Sequence, residues 1–158
     1  MRKNLLMVSL AACCAFVLSS SIAVAADNWL GTWKVDLAKS KYSPGPAPKS
    51  YILKFEATPV GIQFTGDGVL ADGKATHGMF LSKFDGKDVP YEGNPDADTA
   101  SPRKIDDNNY DNTWKKGGKE TITAKVAVSA DGKTMTITQT GTNAKGEAVN
   151  HSIVYNKQ

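Results

Sequence analysis

From Tyr51 onward apolar and polar side chains change places at nearly every step. Tyr51, Leu53, Phe55 and Ala57 stand against Ile52, Lys54 and Glu56, and Val60, Ile62 and Phe64 against Gly61, Gln63 and Thr65. Further on, Ile122, Ala124, Val126 and Val128 alternate with Thr121, Thr123, Lys125 and Ala127. Met135, Ile137 and Gln139 oppose a row of threonines, and Val149, His151, Ile153 and Tyr155 share one face of the last segment. A period of two belongs to strands that bury one face, and no useful apolar series at helical spacing competes with it. The runs predict strands near residues 29–37, 50–57, 60–69, 75–84, 88–92, 99–105, 109–116, 120–129, 134–141 and 148–156.

One recipe joins them: Asp72-Gly73-Lys74, Asp85-Gly86-Lys87, Gly117-Gly118-Lys119, Asp131-Gly132-Lys133 and Lys145-Gly146-Glu147. Asp-Gly and Gly-Gly supply the positive φ that tight hairpins require, so each marks a reversal between neighbouring strands. Gly117-Gly118-Lys119 is a turn and not a phosphate loop, which would need a long glycine loop opening a helix. The fold class that follows is all-β, an antiparallel up-and-down meander barrel of about eight to ten strands. Closure removes the exposed edges that a two-sheet sandwich would leave open.

The N-terminus follows a different pattern. Arg2 and Lys3 precede an almost wholly apolar Leu5–Leu18, and Ala23-Val24-Ala25 is a small-x-small cleavage site. Residues 1–26 therefore read as a cleaved secretory signal peptide, leaving 27–158 as one domain, exported to the periplasm of a bacterial cell or secreted. Leu10-Ala11-Ala12-Cys13 is a rival lipoprotein signal, but lipidation at Cys13 would leave Ala15–Ala26 as a second apolar segment where a polar tether belongs. Ordinary cleavage discards Cys13 and Cys14 together, so the mature chain has no disulfide in an oxidising compartment. It also leaves no transmembrane segment. The remaining chain, about 130 of the 158 residues, is long enough to bury roughly two thirds of its unfolded surface without cross-links.

Charge excludes one class of partner. Of 19 basic and 16 acidic side chains, Arg2 and Lys3 leave with the signal peptide, and the rest are scattered, with Arg103 the sole remaining arginine. Nucleic-acid binding wants a concentrated basic face, so no nucleic-acid partner is expected. Catalysis finds no support either. The two histidines, His77 and His151, lie far apart, no Gly-x-Ser-x-Gly elbow is present, and no pair has metal-ligand spacing. Asn94-Pro95-Asp96-Ala97-Asp98 lacks the glycine and final glutamate of a calcium loop and reads as a turn, as does Asp106-Asp107-Asn108-Asn109. No catalytic residue, cofactor or metal is assigned.

Gly31-Thr32-Trp33, at the start of the first strand of this meander, resembles the Gly-x-Trp motif of the lipocalins. As GTWK it also resembles the first strand of the fatty-acid-binding proteins, whose last strand the ending SIVYNKQ, Ser152–Gln158, is similar to. The chain is thus similar to small exported bacterial lipocalin-like proteins of the calycin superfamily across nearly all its mature length. In such a barrel Gly31 kinks the first strand where floor becomes wall, and Trp33 plugs the closed end. Trp29 and Trp114 read as core or rim. The resemblance implies a cation stacked on Trp33, for which Arg103 is the candidate, although it lies mid-chain. Pro44-Gly45-Pro46-Ala47-Pro48 stands where fatty-acid-binding proteins carry a helix pair. It cannot pair in a ladder, so it is a linker or a reduced lid crossing the outside of the barrel or its mouth.

The resemblance implies a barrel whose interior accepts a small hydrophobic ligand. Candidate ligand-facing positions are Tyr51, Phe55, Phe64, Met79, Tyr110, Asn112, Trp114, Gln139, His151, Ile153 and Tyr155. The alternative is a filled barrel with no small ligand, acting as an envelope interaction or inhibitor module. Polar residues at inward positions, Asn112, Gln139 and His151, favour a cavity, because a plain core has little use for them. Fatty-acid-binding proteins hold a ligand carboxylate with Arg-x-Tyr on the final strand. Here the matching positions are Ile153 and Tyr155, so the tyrosine is kept and the cation is gone. The expected ligand is therefore neutral, oriented by Tyr155, His151 and Gln139.

Overall fold

The computed structural model describes residues 27–158, so the signal peptide lies outside the described residues. Ten strands follow one another: β1 (Gly31–Lys41), β2 (Ser50–Thr58), β3 (Gly61–Val69), β4 (Ala75–Ser82), β5 (Val89–Pro90), β6 (Thr99–Lys104), β7 (Asn109–Lys116), β8 (Lys119–Val128), β9 (Thr134–Thr142) and β10 (Ala148–Lys157). They form one antiparallel sheet in the order β4-β3-β2-β1-β10-β9-β8-β7-β6-β5. Every chain-adjacent pair except β4 and β5 is a ladder, and β1 lies against β10. The β4–β5 seam is joined by two backbone bonds, Met79 N–H to Glu92 O (3.0 Å) and Glu92 N–H to Met79 O (2.9 Å). The result is a nearly closed meander barrel with no helix among the described residues.

The period-two pattern sets the walls. Leu53 and Phe55 are buried, while Lys54 and Glu56 on the other face pair in solvent at 2.8 Å. Some strand ends differ from the sequence reading for local reasons. The first strand begins at Gly31 because Leu30 N–H closes a turn onto Asp27 O (3.0 Å). It then runs on past residue 37 through a bulge between Asp36 and Lys41, where Ser40 Oγ donates to Asp36 O (2.7 Å) and accepts from Val154 N–H (2.9 Å). The expected strand at 75–84 stops at Ser82, before Phe84 at φ 56°. The one at 88–92 shrinks to Val89–Pro90, since Pro90 has no N–H to donate. Val60, expected on an apolar face, sits in the β2–β3 turn and is 61% exposed.

The strand directions give the barrel two distinct ends. At one end lie residues 27–30, the turns after β2, β4, β6 and β8, and the C-terminus. This end is plugged. Trp29 and Trp33 are both 0% exposed, and Trp33 Nε1–H donates to Trp29 O at 2.8 Å. Around them Phe84 and Tyr110 contact Trp29 at ring separations of 6.0 and 5.4 Å, and Phe55 meets Tyr110 at 6.0 Å. A cation does lie over Trp33, but it is Lys157 from the end of β10, with Nζ 5.0 Å from the ring centre. Arg103 points outward and pairs with Asp111 at 3.2 Å, because the inward positions of β6 belong to Ala100 and Pro102.

Candidate functional site

The opposite end carries the proline segment and the turns after β3, β5, β7 and β9, and it is open. Between it and the aromatic floor lies a cavity of about 580 Å³. Pro44, Gly45, Pro46 and Pro48 line its mouth, so the proline segment belongs to the rim and is more than a linker. Backbone donors hold the rim in place. Ala144 N–H donates to Asp96 Oδ1 (2.9 Å), Gly117 N–H donates to Asp98 Oδ2 (2.8 Å), and Asn150 N–H donates to Ser43 O (2.6 Å).

Of the positions expected to face a ligand, Tyr51, Phe64, Tyr110, Asn112, Trp114, Gln139, His151, Ile153 and Tyr155 line the cavity. Phe55 does not: it is 1% exposed within the aromatic floor and lies 5.2 Å from Phe64 by ring centres. Met79 does not either. On β4 the inward positions are Gly78, Phe80 and Ser82, which turns Met79 outward, where Gln63 Nε2 donates to its sulfur at 3.6 Å. Because inward Gly78 has no side chain, the apolar residues of this strand mark no single face.

The same absence of side chains shapes one wall that sequence reasoning missed. Gly66 on β3 pairs with Gly78 on β4, and Gly68 follows on the same face. Tyr51 fills the space: a Cβ on Gly68 would lie 2.4 Å from Tyr51 Cδ2, and one on Gly66 would lie 3.0 Å from Tyr51 Oη. A Cβ on Gly78 would lie 3.2 Å from Tyr91 Cε2, and Tyr91 meets Trp114 edge-on at 5.6 Å. Glycine inside a strand marks a close approach, and the spacing Gly66-x-Gly68 was the available signal.

Register arranges the polar groups. His151 lies opposite Gln139, Gln139 opposite Ala124, and Ala124 opposite Asn112, so one row of the barrel carries His151, Gln139 and Asn112 around a notch at Ala124. The next row toward the floor is Ile153, Ile137, Val126 and Tyr110. Toward the mouth stand Val149, Ile122 and Trp114. A single polar band therefore interrupts apolar walls.

The interior is uncharged. Burial pushes the Tyr51 hydroxyl up to about 12, raises those of Tyr91 and Tyr110 further, and raises that of Tyr155 well above its ordinary value, so all stay protonated. Burial also lowers His151, with the Asp96 charge opposing, and Ser43 N–H donates to His151 Nδ1 at 3.0 Å. That bond requires a bare Nδ1, which puts the neutral ring's proton on Nε2. The charged side chains near the cavity, Asp72, Asp96, Lys145 and Glu147, all belong to rim turns.

The strand order is that of an antiparallel up-and-down meander, nearly closed and open at one end. No family model matches the chain, and no curated protein matches it. Among solved structures it is similar to zebrafish ileal bile acid-binding protein complexed with cholic acid, at 12% identity over 83% of this chain and 99% of that chain, with a TM-score of 0.48. A likeness at that level bears on neither ligand nor chemistry.

Proposed function

We propose that the chain is an exported, lipocalin-like binding protein that holds a small, neutral, largely apolar molecule in its barrel. The observation that carries this reading is the uncharged wall around a cavity of about 580 Å³, a size within the ordinary range for small-molecule sites. No cation on the strands faces inward to receive a carboxylate, and a buried anion without a charge-assisted partner is strongly disfavoured. A cavity of this size supports the binding reading over a filled barrel that acts through its surface. Export rests on the leader read from residues 1–26. Cleavage there keeps Asp27, whose carboxylate pairs with Lys104 beside the floor.

Native mass spectrometry of protein taken from its own cell envelope tests both parts in one spectrum. The expected result is an unlipidated chain beginning at Ala26 or Asp27, carrying a reproducible small-molecule adduct. A diacylated chain beginning at Cys13 overturns cleavage next to Ala26, and spectra free of adduct in every preparation overturn the binding role. A competition titration then compares a long-chain fatty acid with the alcohol of equal length. The alcohol should bind at least as tightly, and a clear preference for the carboxylate overturns neutrality.

A further inference from the structure

We infer that the bound molecule carries a planar conjugated ring, which stacks on the free face of Tyr51. This deepens the binding role proposed above and rests on it. The cavity has two unlike walls. Apart from the polar band and Tyr155, the wall of β8, β9 and β10 is aliphatic, with Ile122, Val126, Ile137, Val149 and Ile153 each at most 6% exposed. The side that runs from β2 through β5 is built largely of rings. Phe64, Phe80 and Tyr91 there are buried against one another, at ring separations of 4.6, 5.3 and 6.1 Å. Tyr51 is only partly buried.

What Tyr51 offers the cavity is a face. A Cβ on Gly68 would meet Cδ2 and Cε2, on one edge of the ring, at 2.4 and 2.9 Å, and a Cβ on Gly66 would meet Cε1, on the opposite edge, at 3.1 Å. Both edges approach β3 together, which a ring standing on edge does not do. One face therefore rests on the glycine backbone, and the other is the side that lines the cavity. The ladder fixes the root of the side chain, with Tyr51 opposite Gly68 and Leu53 opposite Gly66. A ring already laid down in this way loses little freedom when a second ring covers it. Stacked rings attract one another beyond the area they bury. A saturated ring is puckered, with hydrogens on both faces, and gains from burial alone. The aliphatic wall opposite receives the rest of the molecule by burial, which is non-directional and sets no demand on shape.

Calorimetric titration of the purified mature chain with 2-acetylnaphthalene and with 2-acetyldecalin tests this. The two share a carbon skeleton and a neutral carbonyl, and differ in the planarity of their rings. The saturated ketone is at least as apolar, so burial alone would have it bind at least as tightly. Stacking should make the naphthalene bind about threefold to tenfold tighter. Tyr51→Phe keeps the ring and should keep that ratio, whereas Tyr51→Leu should bring the two affinities together by weakening the naphthalene. Equal affinities in the parent, tighter binding of the decalin, a ratio lost in Tyr51→Phe or a ratio that survives in Tyr51→Leu overturns the inference and leaves the binding role standing. Binding of neither ketone also overturns the inference, and the binding role falls with it only where the native spectra lack an adduct as well.

Discussion

Trp33→Ala tests the closed end of the barrel, on which the position of the cavity depends. The indole is 0% exposed, donates to Trp29 O at 2.8 Å, and lies under the Lys157 ammonium at 5.0 Å. Emptying a large buried aromatic site ordinarily costs about 3–5 kcal/mol, transfer and residual cavity together. The truncation also strips the Trp29 carbonyl of its buried donor, a loss of about 1 kcal/mol or more, and removes a cation–π contact worth about 0.5–1 kcal/mol at a partly exposed site. The sum, about 5–7 kcal/mol, is between about a third and the whole of the stability of a domain holding about 5–15 kcal/mol. Trp33→Phe keeps a ring in the site but loses the hydrogen bond and some volume, and should cost about 2 kcal/mol. Urea unfolding followed by far-ultraviolet circular dichroism reads both variants without depending on tryptophan emission. A Trp33→Ala midpoint within error of the parent would show that the ring is not the floor. Equal losses for alanine and phenylalanine would show that the hydrogen bond, and not burial, holds this end together.

Two further outcomes are expected. Gly93→Ala should lower the melting temperature far more than Gly132→Ala: both positions have positive φ (74° and 69°), but a Cβ at Gly93 lies 2.0 Å from the His77 carbonyl oxygen in the β4–β5 seam, whereas nothing lies within 4 Å at Gly132. The Gly132 change should cost the left-handed backbone penalty alone, about 1–2 kcal/mol, and equal melting shifts would refute the seam geometry. The second outcome concerns His151, which burial holds below its ordinary value of 6.5, so the folded chain binds that proton less readily than the unfolded chain. Its contribution is intact above that value and declines as pH falls through it toward the lower folded value, since a protonated Nδ1 also cannot accept from Ser43 N–H. Thermal melts between about pH 7.5 and about pH 5.5 should fall for the parent and stay flatter for His151→Gln. Parallel curves would refute the assignment. The lowered carboxyls of Asp36, Asp72, Asp85, Asp88, Asp106 and Asp131 act only below their ordinary 3.8 and do not mask the effect.

Much of the fold could be read along the chain, because its causes are local. The alternation of Ile122, Ala124, Val126 and Val128 marks a strand and its inner face at once, and Asp131-Gly132 can hardly do other than reverse the chain. Inward residues of most strands were legible for the same reason, down to Tyr110, Asn112 and Trp114 on β7. The reading failed where hydropathy carries no face. Gly66, Gly68 and Gly78 are inward without being apolar side chains, so the wall on which Tyr51 and Tyr91 lie left no periodic trace, and Met79 was assigned inward in place of its neighbours.

Depth and long-range proximity belong to the tertiary structure alone. A period of two says which way a side chain points, but not which row of the barrel it joins. Phe55 and Tyr51 share a face of β2, yet one lies in the floor and the other against the cavity. Only register aligned His151, Gln139 and Asn112 into one polar band, since each ladder fixes a relation between segments whose sequences do not mention one another. Closure of β1 on β10 brought Lys157 over Trp33, a pairing of the two ends of the domain that chain separation concealed. The order of strands, the turns and most inward positions were legible along the chain, because backbone propensity and burial act within a few residues. The open end, the depth of each side chain and the identity of the stacked cation were decided by contacts between residues far apart in the chain.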